Sequence, residues 1–344
     1  MDLIQGVVMG KLRVTVIMSV FLMMGCERDA MSTHAAENKG EDLQDFIGEV
    51  KNNLVFVEGG EFLMGDYGVK YGPEGISYDS DKDSKPLHKV ELSNYSIGKF
   101  KVTNKEFQYY LHSNGLQLRQ DAGEKFAIIS EAPNTPAHLD WFEAEKYCTW
   151  LANVSELPFG LPTEAQWEYA ARSRGQFLIV ATNDGTYKIT EGSATEYDGP
   201  RGVNISTEWD REAFAKELGW NTQDLTPLPV DRFPPNPLGL YAMSDNGFEW
   251  VKDWYDPEFY QNSPFKDPQG PDIPVHKDPP SNYKYAKVLR GKDYANPQWG
   301  GGVNVHRSYR SPDGTVAGLS NGDDSLILGD KTARCVVNHP QPIE

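Results

Sequence analysis

The sequence predicts an α+β domain of short, irregular elements rather than a helical bundle or a regular sheet. Three observations carry this. The chain of 344 residues holds 32 Gly and 23 Pro, too many chain-breakers for long helices. Its eight Trp and seventeen Tyr are large aromatics of the kind that pin loops which no regular sheet organises. A hydrophobic content of 39% at this length is enough for one large core.

Strand-like runs occur at 54–57, 61–64 and 89–92. One helix starts near Phe142, with Trp141, Ala144, Cys148 and Leu151 on one face at helical spacing. A second starts at Thr163, where Thr163 and Gln166 form a capping box ahead of Trp167, Tyr169 and Ala170. Segments 173–228 and 255–285 are long, polar and punctuated by Pro and Gly, and read as surface excursions able to carry a binding surface. No second linker and no internal repeat follows Asn53, so a single domain is expected over 53–340.

The amino terminus reads as an export signal over 1–25. Lys11 and Arg13 precede the apolar run 14–24, which has the length of a signal-peptide core and is too short to span a bilayer. Met9 is a candidate start that leaves a compact charged region. The run ends Leu22-Met23-Met24-Gly25-Cys26, which resembles a bacterial lipobox with Cys26 as the lipidated residue. An ordinary secretory signal is the alternative. Glu27 in the next position favours the outer membrane, with the protein facing the periplasm, and residues 26–52 read as the lipidated cysteine and a polar tether. A formal net charge of −17 without a basic stripe excludes a nucleic-acid role, because phosphates would be repelled. Only Cys148 and Cys335 remain beyond Cys26, and in an oxidising compartment two cysteines are most simply one disulfide.

A run of motifs in order carries a family resemblance. It begins with Phe56-Val57-Glu58-Gly59-Gly60-Glu61-Phe62-Leu63-Met64-Gly65 and continues through Pro86, His88, Val90 and Val102-Thr103-Asn104. Trp141, Ala144, Tyr147 and Cys148 come next, then Leu161-Pro162-Thr163-Glu164-Ala165-Gln166-Trp167-Glu168-Tyr169-Ala170. Gly239-Leu240-Tyr241, Asn246 to Trp250, Arg290-Gly291 and Arg334-Cys335 complete the succession. The chain resembles the formylglycine-generating enzyme, or sulfatase-modifying factor, family. The resemblance implies a variant of the C-type lectin fold with small twisted sheets and two helices. It also implies that Cys148 and Cys335 are the pair bridged in some members.

Family oxidases hold Cu(I) with two cysteines near the carboxy terminus, because soft thiolates grip that ion. Here Asn296 matches the first ligand and Gly300 or Gly301 the second; Asp293 stands for a family serine and Phe248 for a tryptophan. No cysteine occurs between Cys148 and Cys335, so no copper is expected. The resemblance implies structural Ca²⁺ at Asn204, Ile205 and Asp224, and a second site at Asp245, Gly247 and Glu249, where Ala242 replaces a side-chain oxygen. The alternative for Glu249 is that it caps buried amides. The seven histidines show no ligand spacing.

The expected function is a non-catalytic, lipid-anchored periplasmic module that binds another envelope protein, with an immunity protein against a type VI secreted toxin encoded nearby as the foremost case. The alternatives are a diverged oxidase or maturation enzyme, and an envelope glycan-binding or secretion- or motility-apparatus component, for which Trp299 near His306 and Arg307 would be the sugar platform.

Overall fold

The computed structural model describes residues 40–120, 123–191, 199–276, 285–293, 302–314 and 330–344. The chain divides into two compact units, Met1–Gly48 and Glu49–Glu344. Helix α1 runs over 40–52, so part of the stretch read as a plain tether is helical. Cys26 lies outside the described residues. Among the described residues no helix is long and apolar enough to cross a membrane.

The larger unit opens with β1 (Leu54–Val57) and β2 (Gly60–Met64), then the short helix α2 (Gly68–Tyr71), β3 (His88–Leu92) and β4 (Tyr95–Gly98). Helices α3 (Asn104–Ser113), α4 (Gly123–Ile129) and α5 (Trp141–Ser155) follow, then β5 (Phe159–Gly160), α6 (Glu164–Ala171) and α7 (Glu208–Leu218). The chain ends with β6 (Gly247–Trp254), β7 (Lys287–Lys292), β8 (Ser308–Arg310), β9 (Lys331–Thr332) and β10 (Val336–Val337). Three small sheets result, ordered β1-β4-β10-β5, β2-β3 and β8-β7-β6-β9. This is the α+β architecture of short elements that the composition predicts.

The helix starts are set locally. In α6 the Gln166 amide N–H donates to Thr163 Oγ1 at 3.2 Å while Gln166 Oε1 accepts from the Thr163 N–H at 3.0 Å, as the sequence predicts. The same reciprocal pair starts α3 at Thr103 and Glu106, α5 at Asp140 and Glu143, and α7 at Thr207 and Asp210. Two helices were therefore too few. Thr103-x-x-Glu106 and Asp140-x-x-Glu143 are visible in the sequence, and for α7 the added signal is Gly219, which closes it in the left-handed conformation.

The excursion over 173–228 also differs from expectation. Asn204, Ile205, Ser206 and Arg211 are buried, because α7 packs inward through Arg211 and Ala215. The main core gathers Val57, Val90, Tyr95, Ile97, Trp167, Tyr169, Val251 and Val336 from all three sheets and α6. Helix α6 is buried on every side, so its polar residues must find partners inside the protein.

Candidate functional site

Strands β6 and β7 pair antiparallel with Gly247 opposite Lys292, Phe248 opposite Gly291 and Glu249 opposite Arg290. That register brings Phe248 and Asp293, two of the four positions matched to the family copper site, to one end of the pair. The Phe248 N–H donates to the Asp330 carbonyl at 2.7 Å, and the Lys292 ammonium sits 5.0 Å from the Phe248 ring centroid. Arg211 of α7 reaches the Asp293 carbonyl at 2.8 Å. Gly291 must be glycine: its φ is +79°, and an added Cβ would meet the Met243 carbonyl oxygen at 2.6 Å. Asn296, Gly300 and Gly301 lie outside the described residues, as does Trp299. Their chemistry is decided by residue type. An amide and glycines offer no thiolate, so the donor set does not fit Cu(I). Cys148 and Cys335 form a disulfide, so neither offers a thiolate.

Behind this corner lies a fully buried charge centre. Glu249 Oε1 accepts from Lys101 Nζ at 2.6 Å and Arg334 Nη2 at 2.7 Å, while Oε2 accepts from Arg334 Nε at 2.6 Å and Trp167 Nε1 at 3.0 Å. Lys101 Nζ also donates to the Gly247 carbonyl at 2.8 Å. Burial pushes the Glu249 carboxyl up, but Arg334 and Lys101 overcome this and hold it down at about 2. A lysine ammonium thus sits between the Gly247 carbonyl and Glu249 Oε1, and a guanidinium takes the rest of the carboxylate. Asp245 accepts from the Ser206 N–H at 2.7 Å and braces the buried start of α7.

At the other expected calcium position, Asn204 organises the 183–188 loop. Its Oδ1 accepts from the Lys188 N–H at 2.9 Å, and its Nδ2 donates to the Thr186 carbonyl at 2.9 Å. The side chain of Asp224 lies outside the described residues. Among the described residues no three His, Cys, Asp or Glu side chains converge to hold a metal.

A second buried network ties α6 to the carboxy-terminal half. Glu164 is clamped by Arg290 Nη1 at 2.8 Å and by Arg307 Nε and Nη2 at 2.7 and 2.9 Å. Glu168 bridges Arg172 at 2.8 Å and Arg290 Nη2 at 2.9 Å. Arg307 is thus committed inside the protein, which removes it from the sugar platform anticipated around Trp299 and His306. His138 is buried beside the first centre, and burial with the positive charge of Arg211 pushes its pKa down to about 3. It is neutral at physiological pH.

At the surface one apolar cluster stands out. Tyr71 of α2 stacks on Phe177 with centroids 4.6 Å apart, and Phe177 packs on Tyr67 at 4.8 Å. Val69 is 65% exposed, Ile76 55%, Phe177 44% and Tyr71 43%. Beneath them the buried Arg172 guanidinium lies 4.7 Å from the Tyr67 centroid and 5.6 Å from Phe177, so the ring cluster rests on a fixed base.

The sulfatase-modifying factor enzyme 1-like domain family matches residues 43–317 of this sequence. The chain belongs to this family. The formylglycine-generating enzyme of Streptomyces coelicolor is 27% identical over 324 residues, covering 82% of this chain and 88% of that enzyme. An inactive C-alpha-formylglycine-generating enzyme 2 from Mus musculus is 25% identical over 254 residues, 59% of this chain and 70% of that protein. The serine/threonine-protein kinase pkn1 of Chlamydia caviae is 27% identical over 241 residues, 65% of this chain. The match spans 32% of that kinase's length. Among solved structures, PvdO from Pseudomonas aeruginosa superposes with a TM-score of 0.51 at 21% identity, covering 83% of this chain and 93% of that one. That likeness extends the family assignment to the fold.

Proposed function

We propose that this sulfatase-modifying factor family member is a non-catalytic, lipid-anchored module of the outer membrane, facing the periplasm, that binds another envelope protein. A secreted toxin encoded by a neighbouring gene is the foremost candidate partner. The observation that carries this reading is the residue types at the positions matched to the family copper ligands. Asn296 and Gly300 or Gly301 stand in the sequence where the thiolates would be needed, and the sulfurs of Cys148 and Cys335 are joined to each other. The buried carboxylates Glu164, Glu168 and Glu249 are neutralised by buried arginines and a lysine, so these three serve rigidity. What the fold presents outward is the rigid aromatic cluster of Tyr71 and Phe177 with Val69 and Ile76, the kind of exposed patch that protein interfaces use. Ca²⁺ at Asn204, Ile205 and Asp224 belongs to the same proposal as a structural ion, and calorimetric titration with Ca²⁺ tests it.

The deciding experiment uses the full chain captured on resin through a carboxy-terminal tag and exposed to native envelope extract. Wild type retains a stoichiometric partner, and the Tyr71→Ala/Phe177→Ala variant loses it while keeping the wild-type melting temperature. Copper at one equivalent per chain, with aldehyde formation on a cysteine peptide, would overturn the reading in favour of an oxidase.

A further inference from the structure

A groove of about 730 Å³ opens on a part of the surface that shares no residue with the aromatic cluster. This volume lies within the range of small-ligand sites. One wall is helix α5, where Trp141, Glu145 and Thr149 recur every four residues and so form one stripe along the groove. Glu145 and Thr149 are exposed. The indole of Trp141 is fixed. Its Nε1 donates to the Val251 carbonyl at 2.9 Å, and the Lys287 ammonium lies 4.0 Å from its ring centroid.

The lining also carries two amides whose oxygens each accept one side-chain hydrogen bond. Gln269 Oε1 accepts from Lys252 Nζ at 2.9 Å, and Asn338 Oδ1 accepts from Gln166 Nε2 at 2.8 Å. Each side chain is thereby oriented, with its NH₂ group left as a donor. The groove lining therefore offers NH₂ donors from Gln269 and Asn338, and a carboxylate, a hydroxyl and a held indole from α5.

That combination matches a pyranose ring bearing an acetamido group. The acetamido carbonyl takes the amide donors, ring hydroxyls and the acetamido N–H take Glu145 and Thr149, and the apolar ring face lies on Trp141. An extended peptide fits less well, because the strands that line the groove contribute only Leu92 of β3, Phe159 and Gly160 of β5 and Lys252 of β6, too little edge for an added ladder. We propose that this groove binds a short oligosaccharide of N-acetylated amino sugars without a metal ion. The proposal goes beyond the protein-binding reading and does not depend on it.

The test titrates the full chain with tetra-N-acetylchitotetraose, followed by tryptophan fluorescence and calorimetry. Wild type binds saturably. Glu145→Ala and Gln269→Ala, both surface changes, each weaken binding by about tenfold or more at unchanged melting temperature, since each removes a hydrogen bond to a polar sugar group. Tyr71→Ala/Phe177→Ala binds the sugar as wild type does, which separates this site from the protein-binding cluster. Absence of binding at millimolar tetrasaccharide would overturn the proposal, as would equal affinity of wild type and Glu145→Ala. Equal affinity for the non-acetylated cellotetraose would overturn the acetamido specificity. Saturable, Glu145-dependent binding of an extended peptide without any sugar binding would reassign the groove.

Discussion

Glu249→Gln is expected to be among the most damaging conservative substitutions in this protein. The carboxylate is fully buried and accepts four hydrogen bonds at 2.6–3.0 Å from Lys101, Arg334 and Trp167. An amide of the same shape keeps one acceptor oxygen and turns a donor group toward two cations, which then lie buried without their counter-charge. Removing one partner of a buried ion network costs about 3–5 kcal/mol, a third or more of the stability of an ordinary domain. At roughly 2–4 °C per kcal/mol for a large domain, the melting temperature should fall by about 6–20 °C. Thermal and urea unfolding followed by circular dichroism at pH 7 measure this. The exposed pair of Lys89 and Glu61, with side chains 64% and 52% accessible, supplies the control: Lys89→Ala should move stability by less than about 1 kcal/mol. Because Glu249 titrates at about 2 in the fold, below its ordinary value, its contribution is full above the ordinary carboxylate range and fades as pH falls toward about 2. The gap between wild type and Glu249→Gln should narrow in that window. If Glu249→Gln and Lys89→Ala proved equally mild at pH 7, the buried centre would not be holding the sheets together as argued.

Two further outcomes follow from other buried groups. Burial, with Glu164 close by, raises the Asp253 carboxyl to about 7, so the folded state holds its proton over the range where the unfolded chain has released it. Stability then declines as pH rises from about 4 to 7, by up to about 4 kcal/mol. Asp253→Asn keeps an acceptor for the Glu164 N–H, which Asp253 Oδ2 now meets at 2.9 Å, and should gain clearly more stability relative to wild type at pH 8 than at pH 5. Urea melts at the two pH values check this, and a pH-independent difference refutes it. The Cys148–Cys335 disulfide closes a loop with a sequence separation of 187, so the chain-entropy estimate of its contribution is about 5 kcal/mol. Cys148→Ser/Cys335→Ser should lower the urea midpoint accordingly, and an unchanged midpoint would show that the bridge constrains little.

Much of the fold is legible in local chemistry. Thr163 with Gln166 announces α6 because a cap needs only residues three apart, and the same logic would have located α3 and α7 from Thr103 with Glu106 and Thr207 with Asp210. The pairing of Cys148 with Cys335 was legible because no other partner remained past the signal region. The ordered motifs placed the chain in its family, and the missing thiolate pair could be read from residue type alone. Glu249 was not legible in this sense. Its type suits a calcium ligand as well as an ion pair, and its partners Lys101 and Arg334 stand 148 and 85 residues away.

The sequence by itself determined family, the starts of α5 and α6, the disulfide and the lack of any cysteine between Cys148 and Cys335, since each depends on residue identity or short spacing. Only the tertiary structure decided which charges meet inside. It brought Glu164 to Arg290 and Arg307, joined Glu249 to Lys101 and Arg334, and drew the Asn204–Arg211 stretch into the interior. The physical reason is that irregular loops carry no period. A contact between two of them depends on the path of the whole chain, and burial converts that contact from a weak surface pair into one that the fold cannot lose.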